Sequence, residues 1–225
     1  MLGAVIFDFD GVIVDSHPAH MQAWKAFLLT KGKAFSDAEL SFVREGAKRE
    51  DILRRFFGEL TPEQIASYGI EKDKLFQARA GELKLVPGFA EFLLQLEAVA
   101  LPSAVATSGS RGRVAQSLEA FNLLDRFRVV VTGNDVERSK PDPSLFLLAA
   151  QMLQVDASQI LVCEDAVVGV LAAKTAGMKC IGIAANGSES LLKQAGADLV
   201  VNDFKRTSLD DVRCLFLLEQ ILRTT

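Results

Sequence analysis

Cysteine is scarce in this chain of 225 residues: there are three, Cys163, Cys180 and Cys214, with no Cys-x-x-Cys pair and no Cys/His cluster. So sparse and odd a count excludes a disulfide framework or a structural zinc site, and the three read as buried thiols in a reducing compartment. Proline and glycine are also too few, at 6 and 16, for a collagen-like or low-complexity chain, while 49% hydrophobic and 24% charged residues exclude disorder. No basic surplus exists. A formal charge of −4 argues against a general polyanion binder, so nucleic acid is not an expected partner, and any phosphate must be gripped locally. Long apolar runs are missing too, and Met1 to Phe7 leads straight into Asp8 without a basic leader or cleavage site. The expectation is a cytoplasmic protein, neither secreted nor associated with a membrane.

What is present is enough apolar material for a self-sufficient core, since a chain of this length buries roughly 70 to 75% of the surface its unfolded form exposes. Ala4 to Phe9 is a short continuous run of β-type residues, as expected for a strand covered on both faces of a parallel sheet. Ser103 to Ser108, Arg128 to Thr132, Gln159 to Cys163 and Cys180 to Ala184 look alike, with Leu199 to Val201 as a weaker sixth. Helical patterns at Phe89 to Val99, Arg111 to Phe121, Pro143 to Leu153 and Val167 to Ala176 lie between them, and a last helix covers about Leu209 to Leu222. The alternation predicts a doubly wound, Rossmann-like α/β core of residues 1–15 and 84–225. Residues 16–83 break it. They carry helix periods and turn signals but no convincing strand, so they are expected to form an inserted α-helical cap that can hinge over the end of the first strand. Within the insertion, Thr61-Pro62-Glu63-Gln64 combines an N-cap, a proline at the first helical position and a capping-box glutamine, so a helix starts there.

In open α/β sheets ligands bind outside the carboxyl ends of the strands, so the polar residues that end each strand are informative. They are Asp8-Phe9-Asp10-Gly11 after the first, Thr107-Ser108-Gly109 after the next, Ser139-Lys140-Pro141 in a loop after the third, and Glu164-Asp165 after the fourth. Asp8 and Asp10, two residues apart, are expected on one face of the strand. Like charges about 4 Å apart repel by roughly 4 kcal/mol at an effective dielectric near 20, so these carboxylates need compensation. Lys140 alone leaves three negative charges in excess. A divalent cation would leave one, and hard oxygen donors of this kind suit Mg²⁺. Thr107, with Ser108-Gly109-Ser110 at the mouth of a helix, reads as a phosphate cradle. Each motif alone has a plainer reading as turn former, helix cap or surface lysine; the ordered set is specific.

That set resembles the haloacid dehalogenase superfamily of aspartate-dependent phosphotransferases over nearly the full length. Asp8-Phe9-Asp10-Gly11-Val12-Ile13-Val14-Asp15-Ser16, the insertion after the first strand, and Glu164-Asp165 with Gly169 and Ala176-Gly177-Met178 are similar to its β-phosphoglucomutase and small phosphosugar phosphatase branch. The resemblance implies Asp8 as nucleophile and Asp10 as acid and base. It also implies Mg²⁺ held by Asp8, Asp165 and the main-chain carbonyl of Asp10 with Glu164 in support, and phosphate oxygens held by Thr107, Ser108 and Lys140. His20, Trp24, Arg49 in Gly46-Ala47-Lys48-Arg49, and Lys72 match cap positions that face the leaving group in relatives. Full-length relatives are often monomers, which implies a monomer here acting on a small phosphorylated metabolite, a phosphosugar.

One departure stands out: relatives commonly carry serine after the Glu-Asp pair, where this chain has Ala166. A phosphatase is the leading reading and a phosphosugar mutase the alternative, the two differing in whether water or a sugar hydroxyl discharges Asp8. True dehalogenation would leave Asp10 and the metal ligands without a task. A phosphoaspartate-dependent signalling module would leave the helical insertion unexplained, and a catalytically dead interaction protein would leave the intact acid, hydroxyl and lysine set unexplained.

Overall fold

The computed structural model describes residues 1–40, 43, 49–185 and 187–223; the Gly46-Ala47-Lys48 stretch quoted above lies outside them. Along the chain come β1 (Ala4–Phe7) and β2 (Val14–Asp15), then the helices α1 (His17–Thr30), α2 (Asp37–Leu40), α3 (Arg49–Phe57) and α4 (Pro62–Gln77), and then β3 (Lys84–Leu85). Strands and helices alternate from there: α5 (Phe89–Ala98), β4 (Ser103–Ala106), α6 (Arg111–Ala120), β5 (Val129–Val131), α7 (Ser144–Leu153), β6 (Ile160–Glu164), α8 (Val167–Thr175), β7 (Lys179–Ile183), α9 (Glu189–Gln194), β8 (Leu199–Val201) and α10 (Leu209–Arg223). The chain divides into two compact units, residues 1–15 with 85–225 and residues 16–84.

In the first unit a six-stranded sheet runs β5-β4-β1-β6-β7-β8, and its strand pairs are parallel. This is the doubly wound α/β arrangement, with the order reversing at β1. All four residues of β1 are buried, because helices cover both faces of the sheet. Ala4 and Ile6 pack with Leu145, Phe146 and Ala149 of α7 and Val170 of α8. Phe7 faces the other way, its ring 5.3 Å from Phe89, 6.2 Å from Phe92, 6.3 Å from Phe127 and 6.2 Å from Phe204. Gly88 closes this layer: its φ of 79° and the backbone of Lys205 pressed against it leave no room for a side chain.

Two strands end earlier than their composition suggests. β1 stops at Phe7 and β4 at Ala106, although the Asp8 and Thr107 amides still donate to Cys163 O (2.9 Å) and Val131 O (3.0 Å). Beyond Asp8 the chain turns, with Gly11 at φ 77° and Asp10 in an isolated bridge to Val14. Asp8 and Asp10 therefore do not share one face of a regular strand, contrary to the two-residue periodicity. The cysteines also part ways: Cys163 and Cys180 are buried in β6 and β7, with burial pushing both thiols up, but Cys214 on α10 is exposed. An exposed position on a terminal helix carries no sequence mark that separates its cysteine from a core one. Among the described residues no helix is long and apolar enough to cross a membrane.

The second unit is helical. The Thr61 hydroxyl accepts from the Gln64 amide and the Gln64 side chain accepts from the Thr61 amide, so α4 begins with the reciprocal cap its sequence calls for. Its core gathers Trp24, Phe27 and Leu28 of α1 with Leu40, Ile52 and Leu53, and Phe27 meets Tyr68 of α4 with ring centroids 5.6 Å apart.

Replacing Phe7 by Ala should cost about 3–5 kcal/mol in chemical denaturation, because the ring is fully enclosed by four others. Leu147→Ala on the exposed side of α7 should stay within about 0.5 kcal/mol.

Candidate active site

Three ionisable side chains meet at the carboxyl end of β1. Lys140 Nζ lies 2.5 Å from Asp8 Oδ1 and 2.5 Å from Glu164 Oε1. All three are buried, with exposures of 7%, 6% and 1%. They come from three separated segments and meet because β6 pairs with β1, Phe7 opposite Cys163, so that the next residues along, Asp8 and Glu164, become neighbours. Lys140 enters from the loop between β5 and α7, its ammonium 4.9 Å above the Phe146 ring. Glu164 uses its second oxygen as well, accepting from the Ala166 amide at 2.8 Å. A Cβ on Gly169 would overlap the Glu164 carboxylate, so glycine is what lets α8 approach it.

Burial pushes the Asp8 carboxyl well above the ordinary carboxylate range; Lys140 opposes this, while Glu164, Asp165 and Asp10 add to it. Glu164 is likewise raised by burial, held back by Lys140. Burial alone would lower Lys140, but the two carboxylates outweigh it and keep the ammonium charged.

Asp10 is half-exposed and tied to a residue that the motif analysis missed. Arg113 of α6 donates to both of its oxygens, Nη1 to Oδ1 at 2.8 Å and Nη2 to Oδ2 at 2.5 Å. The compensating charge at this end of the sheet is thus a lysine and an arginine, where the strand-end residues alone supplied one lysine. A signal was available: the first turn of α6 has no acid, yet Arg111 and Arg113 stand at the positive end of its dipole, an unfavourable placement unless each serves a partner. Arg111 pairs with Asp135 and Arg113 with Asp10.

Thr107 is 1% exposed and its hydroxyl accepts from the Gly109 amide at 3.1 Å, while Ser108 is exposed. Ser110 makes no side-chain cap to α6, and the Arg111 amide donates to Asn134 Oδ1 at 3.0 Å. In the second unit, His20, Trp24, Lys72 and Phe76 form a group. Lys72 Nζ is 2.8 Å from His20 Nδ1 and 5.6 Å from the Trp24 ring, and His20 stacks on Phe76 at 4.2 Å. Arg49 donates to Asp73 at 2.7 Å beside Gly69, where a Cβ would press on the arginine.

Among the described residues no group of three or more His, Cys, Asp or Glu side chains is gathered closely enough to hold a metal ion by itself, but the Glu164, Asp165 and Asp10 carboxylates are near enough to Asp8 to raise it, so the oxygens of this corner are hard donors. That chemistry fits Mg²⁺, which takes one or two carboxylates and completes its shell with water and substrate phosphate. Both Glu164 oxygens are already engaged, which suits it to support the site from behind.

The haloacid dehalogenase-like hydrolase family model matches residues 5–183. Validoxylamine A 7'-phosphate phosphatase of Streptomyces hygroscopicus subsp. limoneus is 32% identical over 209 residues, covering 90% of this chain and 94% of that protein. β-Phosphoglucomutase of Bacillus subtilis is 32% identical over 216 residues, 92% of each. The crystal structure of a family IA, variant 3 hydrolase from Entamoeba histolytica superposes with a TM-score of 0.88 at 26% identity, covering 96% of this chain and 99% of that one.

Removing the ammonium leaves two buried carboxyls facing each other. Lys140→Met should therefore destabilise the protein by about 3–5 kcal/mol near pH 8 in the presence of a chelator. A carboxyl whose folded pKa lies above its unfolded value contributes stability at low pH and loses it as pH rises through the folded pKa. Both carboxyls are raised in this sense, so the deficit should shrink towards pH 5 when urea denaturation of wild type and variant is compared. An equal deficit at both pH values would contradict this.

Proposed function

The chain belongs to the haloacid dehalogenase-like hydrolases, and on that premise we propose that it is a Mg²⁺-dependent phosphatase that hydrolyses a small phosphorylated metabolite, a sugar phosphate, through an aspartyl phosphate on Asp8. The observation that carries the reading is the buried Lys140 bridging Asp8 and Glu164, with Thr107 at the adjoining strand exit. Phosphoryl transfer needs positioning and charge stabilisation above all, and this set is built of both.

In the first step an Asp8 oxygen attacks phosphorus, the bond from phosphorus to the leaving oxygen breaks, and that oxygen takes a proton from Asp10. In the second a water oxygen attacks the same phosphorus and gives its proton to Asp10, the Asp8–phosphorus bond breaks, and phosphate leaves. Thr107, the Ser108 amide and Lys140 hold the equatorial oxygens through both steps. Mg²⁺ would be held by Asp8, Asp165 and the Asp10 carbonyl, and supplies the positive charge that draws the nucleophile and the phosphate together.

Substrate choice is assigned to the second unit on its chemistry: the Lys72 ammonium joined to His20, aromatic faces at Trp24 and Phe76, and the Arg49 guanidinium suit a hydroxyl-rich or anionic leaving group. The relatives' names support this class, one being a phosphatase of a phosphorylated validoxylamine and the other a phosphoglucomutase. The second of these also supports a mutase as the alternative reading.

With an aryl phosphate and Mg²⁺, wild type should release phosphate, chelator should stop it, and Asp8→Asn should be inactive; equal activity of Asp8→Asn and wild type rejects the mechanism. Incubation with β-glucose 1-phosphate and a trace of the bisphosphate should yield free phosphate, whereas glucose 6-phosphate would mark a mutase. Lys72→Met should raise KM for sugar phosphates by about tenfold, the loss of one charged hydrogen bond, with little effect on kcat for the aryl substrate.

A further inference from the structure

We infer that the second unit selects an uncharged, hydroxyl-bearing leaving group and rejects one that carries a second phosphate, and that Asp73 of α4 is the residue that makes this choice. The substrate class is then a monophosphate of a sugar or polyol, not a bisphosphate. This rests on the phosphatase reading above and on the leaving-group role proposed there for Arg49 and Lys72.

Arg49 and Lys72 are both cations, and Asp73 answers both. Arg49 Nη2 donates to Asp73 Oδ2 at 2.7 Å, whereas Lys72 Nζ is 3.7 Å from Oδ1, beyond hydrogen-bond reach. Lys72 instead donates to His20 Nδ1 at 2.8 Å, since an ammonium has no lone pair with which to accept. Among the described residues, Asp73 Oδ1 is therefore a buried acceptor that takes no hydrogen bond, a costly state that a donor relieves. The side chain as a whole is 18% exposed and the last torsion of an aspartate is broad, so a small rotation presents Oδ1 to a ligand. The pairing with Arg49 is built into the helix. Gly69, one turn before Asp73, leaves the groove in which the guanidinium lies, because a Cβ there would be 2.5 Å from Nη1. Glycine inside a helix otherwise lowers stability.

What this group takes follows from its donors and acceptors. A hydroxyl gives its proton to Oδ1 and accepts from the Lys72 ammonium beside it, which satisfies both. A phosphate dianion has only acceptor oxygens. It would leave Oδ1 unmatched, set like charges side by side, and meet an Arg49 that Asp73 has already neutralised. An alkyl chain satisfies neither partner. A mutase has to discharge a bisphosphate, whose departing part still carries a phosphate, so the same chemistry disfavours the mutase reading.

The test measures phosphate release by the full chain with Mg²⁺ from glucose 6-phosphate, glucose 1,6-bisphosphate and hexyl phosphate, each as kcat/KM. Wild type should prefer glucose 6-phosphate to either of the others by about tenfold or more, the worth of one hydrogen bond to a charged group. In Asp73→Asn and Asp73→Ala the preference over the bisphosphate should fall by about tenfold or invert, because Arg49 is released to meet the second phosphate. The preference over hexyl phosphate should fall by about tenfold in Asp73→Ala and by less in Asp73→Asn, whose amide oxygen still accepts. Each preference is a ratio within one preparation, so a partly unfolded sample does not alter it.

A wild type that turns over the bisphosphate as fast as the monophosphate would overturn the inference and leave the phosphatase reading intact. Preferences unchanged in both variants would do the same, as would Asp8-dependent turnover of an aryl phosphate without turnover of glucose 6-phosphate. A folded wild type with no Asp8-dependent turnover of any of these substrates would overturn the phosphatase reading, and this inference with it.

Discussion

The contact on which the rest depends is that of one ammonium with two buried carboxylates. Lys140, Asp8 and Glu164 are all withdrawn from water, and none is tolerable there alone, since an isolated buried charge is worth several kcal/mol of desolvation. Together they leave a single negative charge, with Asp165 and Asp10 close enough to raise Asp8 further. The arrangement is a constraint on the fold as much as a feature of a site. It requires the exits of β1 and β6 to be neighbours, a loop that dips back into the molecule to deliver Lys140, and a glycine at position 169 so that α8 can lie against Glu164.

The sheet order meets the first of these requirements. With β4 and β6 on either side of β1, the exits that carry Asp8, Thr107 and Glu164 stand side by side where the winding changes direction. Apolar packing on both faces keeps these strand ends from moving: α7 and α8 hold Ala4 and Ile6, and the phenylalanine cluster holds Phe7. A short strand under such cover positions its next residue closely, because a shift of one residue would break both ladders at once.

Much of this was legible because the relevant signals are local. Unbroken β-type runs and helix periods show the alternation of the first unit, and the Thr61 to Gln64 pattern shows where α4 begins. Polar residues just past apolar runs mark Asp8, Thr107 and Glu164, which the parallel ladders then bring to one edge of the sheet. Arg113 was not marked in this way. It lies in a helix, and its pairing with Asp10 depends on a side chain crossing a gap over Gly109, a tertiary event without a sequence period. The same holds for the geometry of Asp10, where a turn replaces the regular strand that spacing implies, and for Cys214, whose exposure is a matter of which side of α10 faces out. Contacts such as Lys72 with His20 join α4 to α1 across 52 positions and depend equally on packing.

The distance along the chain between β1 and its two neighbours has a bearing on how the protein is made. β1 is translated well before its neighbours, so it waits for Ser103–Ala106 on one side and Ile160–Glu164 on the other. Until the later of these has been translated, the aspartate is an ordinary solvated charge on an unpaired edge, and long-range parallel pairing of this kind is slow once it begins. The acidic centre therefore comes into being only once β6 has been made, long after Asp8 itself was synthesised.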